Sequence, residues 1–317
     1  MVTVEEILLN IKSKLSTRLS EINEKLTAKG QTAADSLSEV PAKIEAISAG
    51  TDSEEMVFKG LFTGETTEIT FDEKTVYDAM FGGFPSLEKI TFSELENFGE
   101  LEDLQNLFIG TNNLNTVHML KVKELIVSNE GAYNGSPFYR TLTDVYAPEV
   151  TVVSGRVFNS TKHVNVSKMP KLETIKNRAF ANFSWADNTS YTLSSVKYLE
   201  DMVFYKSKVK IVKFPNLIRL GEIDSSSDWT FYETQELTTV DLGESLEYLN
   251  CNAFFKTTTL EKIIIRNPNK VATLYSYISP DYVSSNFAFY VPDDLVSEYE
   301  TTYNSATTFV FKGLSEL

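Results

Sequence analysis

A degenerate six-residue pattern, apolar at its first, fourth and sixth positions, recurs from about residue 80 to the end of this 317-residue chain. Copies begin at Leu87 (with Ile90 and Phe92), Leu104 (Leu107, Ile109), Val122 (Leu125, Val127), Leu142 (Val145, Ala147), Leu193 (Val196, Tyr198), Val209 (Val212, Phe214), Leu237 (Val240, Leu242) and Leu260 (Ile263, Ile265). A weaker copy starts at Thr161, with Val164 and Val166. Such a repeat constrains architecture before any local reading does, because no single unit can bury its own apolar face and stacking must do so. Stacked repeats also make long surfaces more readily than closed pockets, which points to binding rather than catalysis.

Each unit carries more than the six-residue core. A second apolar pair follows: Leu95 and Phe98, Val150 and Val153, Leu172 and Ile175, Leu217 and Leu220, Leu246 and Leu249. Then comes a phenylalanine: Phe81, Phe138, Phe158, Phe180, Phe204, Phe231 or Phe254. The pattern predicts a short strand at the core segment and a return path closed by a buried ring. Spacing between cores varies from roughly 16 to 32 residues, and the long gaps hold insertions at 182–191 and 222–236. Insertions in solenoids gather on one face, often the binding face.

Three regions are expected: a helical attachment and oligomerisation segment over 1–50, a linker and β cap over 51–80, and the repeat domain over 81–317. Val4, Leu8, Ile11, Leu15, Ile22 and Leu26 fall at three- and four-residue spacing, the narrow stripe of a helix that pairs with other helices. The stripe is interrupted at Arg18 and Lys25. Two apolar runs around Gly64 to Thr67 suit a hairpin. The fold class this predicts is an α/β repeat: a coiled-coil-like helical segment, then an irregular solenoid.

A net charge of −15, with no basic cluster, disfavours nucleic acid and anionic membrane surfaces as partners. No apolar run is long enough to insert into a membrane. The N-terminus lacks the basic start, apolar centre and cleavage site of a signal peptide. Cys251 stands alone, without a disulfide partner, and reads as a small core residue. His118 and His163 lie in different repeats and do not form a metal-binding pair. Asp224 and Asp228 sit in a Ser-rich stretch without an EF-hand pattern; a solvated loop is the first reading and a weak cation site the second. No catalytic motif, metal site or cofactor is expected. The leads to function are Trp185, Tyr191, Trp229 and Tyr232, in or beside the insertions, where flat rings could stack on sugars or anchor an interface.

Segments such as MPKLETIKNRAFANF, FPNLIRLGEI and LTTVDLGESLEYLNCNAFFKTTTLEKIII resemble BspA-type leucine-rich repeats, and FAFYVPDDLVSEYETTYNSA is similar to the ending of such arrays. The Asn position of the standard leucine-rich repeat is Asn112 in one copy but Leu95, Val150, Met169 and Leu217 in others. A helix followed by Leu37, Val40, Pro41, Ile44 and Ile47 resembles the start of bacteriophage tail and fibre proteins. Together these resemblances imply a virion protein assembled in the host cytoplasm. Its N-terminus would contact other virion proteins and form a homo-oligomer, a trimer by the phage resemblance, and its repeats would bind a host surface glycan or protein. The alternatives are a bacterial cell-surface adhesin with the same repeats, a purely structural virion decoration protein, and a polysaccharide depolymerase.

Overall fold

The apolar pairs that follow each repeat core build one continuous parallel ladder in the computed structural model. Its strands are Glu124–Ile126, Val152–Ser154, Thr174–Lys176, Tyr198–Leu199, Arg219–Leu220, Tyr248–Asn250 and Thr273–Tyr275. Val153, Ile175, Leu199, Leu220 and Leu249 point inward and are buried; Leu125 pairs with Val153, and Leu249 with Leu274. The six-residue cores build a second parallel ladder through Ser190–Thr192, Ile211–Lys213, Thr239–Asp241, Lys262–Ile264, Ala288–Val291 and Phe311–Gly313. A third ladder runs through Lys89–Phe92, Thr116–Met119 and Asp144–Tyr146. The weak copy at Thr161 falls between the last two ladders. Val166–Lys168 there is a 3-10 turn rather than a strand, so pairing stops, with Ala147 N–H bound to Lys168 O at 3.1 Å.

The structure describes residues 61–317, except 62, 78–79, 99–103, 105–106, 109, 128–135, 139–143, 162–163, 165, 184–189, 227 and 304–308, together with 19–20, 22–24 and 27. The chain forms two compact units. One comprises Met1–Ile69 with Phe84–Leu87, the other Thr70–Gly83 with Glu88–Leu317. The second is a β-solenoid of about eight turns.

This corrects the expected α/β repeat with an N-terminal coiled coil. Between the strands of the solenoid the described residues contain turns and 3-10 segments, with an α-helix, α1, at the C-terminal Val296–Tyr303. The physical reason lies two residues after seven of the repeat phenylalanines. Gly83, Gly110, Ser160, Asn182, Lys206, Glu233 and Lys256 all stand at positive φ, between 51° and 80°. A left-handed residue ends a helix after a single turn, so the return path cannot become one.

At the N-terminus, Leu19, Ser20, Ile22, Asn23, Glu24 and Thr27 are helical, with Thr27 Oγ1 donating to Asn23 O at 2.8 Å. No coiled-coil segment is seen among the described residues, in keeping with a stripe broken by Arg18 and Lys25. Val4, Leu8, Ile11, Leu15 and Leu26 lie outside those residues, as does the Leu37–Ile47 motif. Leu61 and Thr63 are helical, so the first arm of the expected hairpin is not a strand there.

The repeat phenylalanines form the spine of the core. Phe81, Phe108, Phe138, Phe158, Phe180, Phe204, Phe231 and Phe254 follow one another with centroids 5.1 to 5.8 Å apart. That step is set by the 4.7–4.9 Å spacing of adjacent strands. All but Phe108 are 2% exposed or less. Three residues on, in four of the coils, a buried hydroxyl ties the coil to the one before: Thr111 Oγ1 donates to Phe81 O at 2.5 Å, Thr161 to Phe138 O at 3.3 Å, Ser207 to Phe180 O at 2.5 Å and Thr234 to Phe204 O at 3.0 Å. Unpaired buried carbonyls cost more than paired ones return, so this hydroxyl row is a structural requirement. It does for these turns what an Asn ladder does in the standard repeat.

Helix α1 closes the outer edge of Thr273–Tyr275. Tyr299 Oη accepts from Ala272 N–H at 2.9 Å; Tyr303 Oη accepts from Leu274 N–H at 3.0 Å and donates to Ala272 O at 2.8 Å. An open strand edge would otherwise template pairing with another chain.

Candidate functional site: an aromatic and cationic stripe

The residue that follows the repeat phenylalanine is buried at Asn159 and Ala181 but half-buried in the coils of Phe204, Phe231 and Phe254. In three successive coils that residue is aromatic: Tyr205, Tyr232 and Phe255. Strand register carries them into a second, half-exposed stack. Tyr205 and Tyr232 lie 5.3 Å apart with planes 5° from parallel, and Tyr232 and Phe255 lie 5.7 Å apart at 10°. Trp229 packs beside them, 5.4 Å from Tyr232 and 6.3 Å from Phe255, and Tyr282 extends the row 4.3 Å from Phe255.

One position further on stand the left-handed residues, and here they are charged. Glu233 lies 3.3 Å from Lys206 in the coil before and 3.3 Å from Lys256 in the coil after. Lys206 Nζ sits 5.1 Å over the Tyr205 ring and Lys256 Nζ 5.3 Å over Tyr232, while the Arg178 guanidinium lies 5.8 Å from Tyr205. Lys256 Nζ also donates to Tyr232 Oη at 3.1 Å. Hydrogen bonds to Tyr205 and then Glu233 raise Lys206, and those to Tyr232 and then Glu233 raise Lys256. The Tyr232 hydroxyl, ahead of the two ammonium groups, holds Glu233 below the usual carboxylate range. In the first coils Gly83 and Gly110 take this left-handed position. Side chains with a Cβ take it at a cost of roughly 1–2 kcal/mol each. Residues held in such a conformation cluster where function requires them.

Of the four ring residues singled out from sequence, Trp229 and Tyr232 meet in this stripe. Tyr191 does not: it is 8% exposed, and its hydroxyl donates inward to Val164 O, because it occupies a core position of the strand Ser190–Thr192. Trp185 lies outside the described residues. Sequence reasoning missed Tyr205, Phe255 and Tyr282, with Lys206, Glu233 and Lys256. The signal was the aromatic doublet, Phe204-Tyr205, Phe231-Tyr232 and Phe254-Phe255.

The acidic insertion beside the stripe is not a solvated loop at Asp228, which is 1% exposed. Asp228 Oδ1 accepts from Thr230 Oγ1 at 2.8 Å and Thr230 N–H at 3.2 Å, and Oδ2 accepts from Glu222 N–H. Asn250 Nδ2 donates to Ser225 O at 2.7 Å and to Glu222 O at 3.0 Å, pinning the loop to the next coil. Asp224 is exposed at the loop tip. Asp201, beneath the loop, is pushed up to about 6 by burial and then by the charge of Asp228, and its Oδ1 is buried without a hydrogen-bond partner. Among the described residues no three His, Cys, Asp or Glu side chains are arranged to hold a metal ion. Cys251 is buried and its thiol is pushed up by burial, the opposite of an activated nucleophile. His118 packs edge-on to Tyr146 at 5.3 Å, and His163 lies outside the described residues.

No curated protein matches the chain. Among solved structures, the pneumococcal vaccine antigen PcpA is 13% identical with a TM-score of 0.20, over 77% of this chain and 78% of that one. A leucine-rich repeat protein from Bacteroides ovatus is 15% identical with a TM-score of 0.19, over 78% of this chain and 92% of that one. The family match starts at residue 151 and does not bear on the phage-like resemblance of residues 1–50. Residues 151–279, which hold every member of the stripe but Tyr282, match the BspA type leucine rich repeat region in 6 copies.

Proposed function

We propose that this chain is an adhesin-like repeat protein that holds a surface ligand against the stripe of Tyr205, Trp229, Tyr232, Phe255 and Tyr282. The single observation that carries this reading is that register brings five half-buried rings from successive coils together on one edge, flanked by cations in a strained conformation. Rings ordered in advance lose little entropy when they anchor a partner. A virion setting rests on the short motif Leu37, Val40, Pro41, Ile44 and Ile47, whereas the adhesin setting rests on the matched repeats of 151–279. Shallow contacts of this kind gain strength from several copies on one surface, where each later contact is effectively intramolecular.

The test is an array of glycans and extracellular matrix proteins probed with the full chain and with Trp229→Ala/Tyr232→Ala. Both rings are half-exposed, so the variant should lose some stability but still unfold in one cooperative transition, checked before the array is probed. Signals present for the parent and lost from the variant support the reading; signals equal in both overturn it.

A further inference from the structure

We infer that the stripe takes a linear acidic polysaccharide, an inference that rests on the adhesin-like reading above. Stacking on neutral sugar rings needs open aromatic faces, and at the centre of the stripe they are taken. Tyr232 has Tyr205 on one side and Phe255 on the other, with planes 5° and 10° from parallel. Its exposed surface is therefore its rim. The rim of an aromatic ring carries the positive end of its quadrupole. Beside these rims stand Lys206 and Lys256, each about 45% exposed, and Arg178 at the Tyr205 ring. Glu233 lies between the two lysines and the Asp201 carboxylate faces Arg178, so three cations stand against two carboxylates and leave a local surplus of positive charge. On a chain with net charge −15, this is a cationic track, and it presents donors and positive ring edges to carboxylates.

The form of the track selects a polymer over an acidic peptide. Tyr205–Lys206, Tyr232–Glu233 and Phe255–Lys256 repeat at one coil spacing along the solenoid. Two clefts lie elsewhere, one around Glu96, Leu120 and Lys123, the other around Pro170, Lys197 and Asn216. Peptide recognition uses pockets for particular side chains. A strip of rings and charges repeating at the coil spacing fits a chain of repeating units.

Polygalacturonate, dextran and poly-glutamate provide the test, with the full chain immobilised and each polymer titrated at low and at raised salt. The expected result is binding of polygalacturonate that weakens with salt, drops about tenfold in Lys206→Gln/Lys256→Gln, and is absent for dextran. Preference for poly-glutamate, or polygalacturonate binding that both lysine changes leave intact, overturns the inference. Array ligands that need Trp229 and Tyr232 but are neutral would overturn it while leaving the adhesin-like reading standing. Loss of every ligand dependence on Trp229 and Tyr232 would overturn both. Gln in place of Lys keeps the aliphatic stem, and an unchanged unfolding midpoint separates lost charge from lost fold.

Discussion

Replacing Phe231 with alanine should open the solenoid at its spine. The ring is fully buried, stacked on Phe204 at 5.1 Å and 9° and on Phe254 at 5.4 Å and 3°. Truncating a buried phenylalanine costs about 3–5 kcal/mol, because transfer and cavity terms add. Phe231→Leu separates the two contributions. It keeps most of the apolar volume but loses both stacks, each worth about 0.5–1.5 kcal/mol beyond burial, so it should cost about 1–3 kcal/mol. Tyr232→Ala, one residue away in the half-exposed stack, should cost about 1–2 kcal/mol. In a repeat array the damage falls on neighbouring coils, here those of Phe204 and Phe254. Urea unfolding followed by tryptophan emission is suited to this, since Trp229 sits in the affected coil. The expected order of loss is Phe231→Ala, then Phe231→Leu, then Tyr232→Ala or level with it. If Phe231→Ala cost less than about 1.5 kcal/mol, or no more than Tyr232→Ala, the claim that the inner stack holds the coils together would fail.

Two further outcomes follow from the turns. Gly155 (φ 65°) has no room for a Cβ, which would fall 1.8 Å from Val127 O, whereas a Cβ at Gly83 (φ 80°) would meet nothing within 4 Å. Gly83→Ala should therefore lose only the left-handed cost of about 1–2 kcal/mol, while Gly155→Ala should lose clearly more, both read from thermal unfolding. Asp201, raised to about 6, binds its proton more tightly folded than unfolded, so its contribution to stability declines as pH rises from about 4 to about 6. Asp201→Asn should stabilise the fold at pH 7.5, with a ceiling of about 3 kcal/mol. Solvent screening at this partly exposed site reduces that to about 1–2 kcal/mol. The gain should fall to about a third at pH 4.5 and vanish only below about pH 3.5, and a gain that did not change with pH would contradict the assignment.

Much of this fold could be read from the chain. The pairs Val150/Val153, Leu172/Ile175, Leu217/Leu220 and Leu246/Leu249 all lead into the seven-stranded ladder, with the second member in the strand, and each phenylalanine assigned to the repeat is buried in one stack. Three apparent core copies were misplaced. Val122 and Leu193 lead into strands of that same ladder, and Leu104 precedes a turn, while Leu114, Val117 and Met119 supply the strand instead. The six-residue pattern does not distinguish the faces, because each needs inward residues at alternate positions. The left-handed row was not legible, since Ser, Asn, Lys and Glu share no composition that marks it. The stripe was half legible. Trp229 and Tyr232 stand out as large rings near an insertion, but Tyr205 and Phe255 reach them only through the register of coils more than twenty residues apart in sequence. Tyr191 misled because proximity to an insertion says nothing about which side of a strand it occupies.

Amide hydrogen exchange of the full chain, with and without the strongest ligand from the array, tests the central claim most directly. The account predicts added protection over 204–207, 228–235 and 254–258, with the six-stranded ladder at 239–241 and 262–264 unchanged. Protection confined to that ladder, or to Thr116–Met119 and Asp144–Tyr146, would place the ligand on a flat face of the solenoid and contradict it.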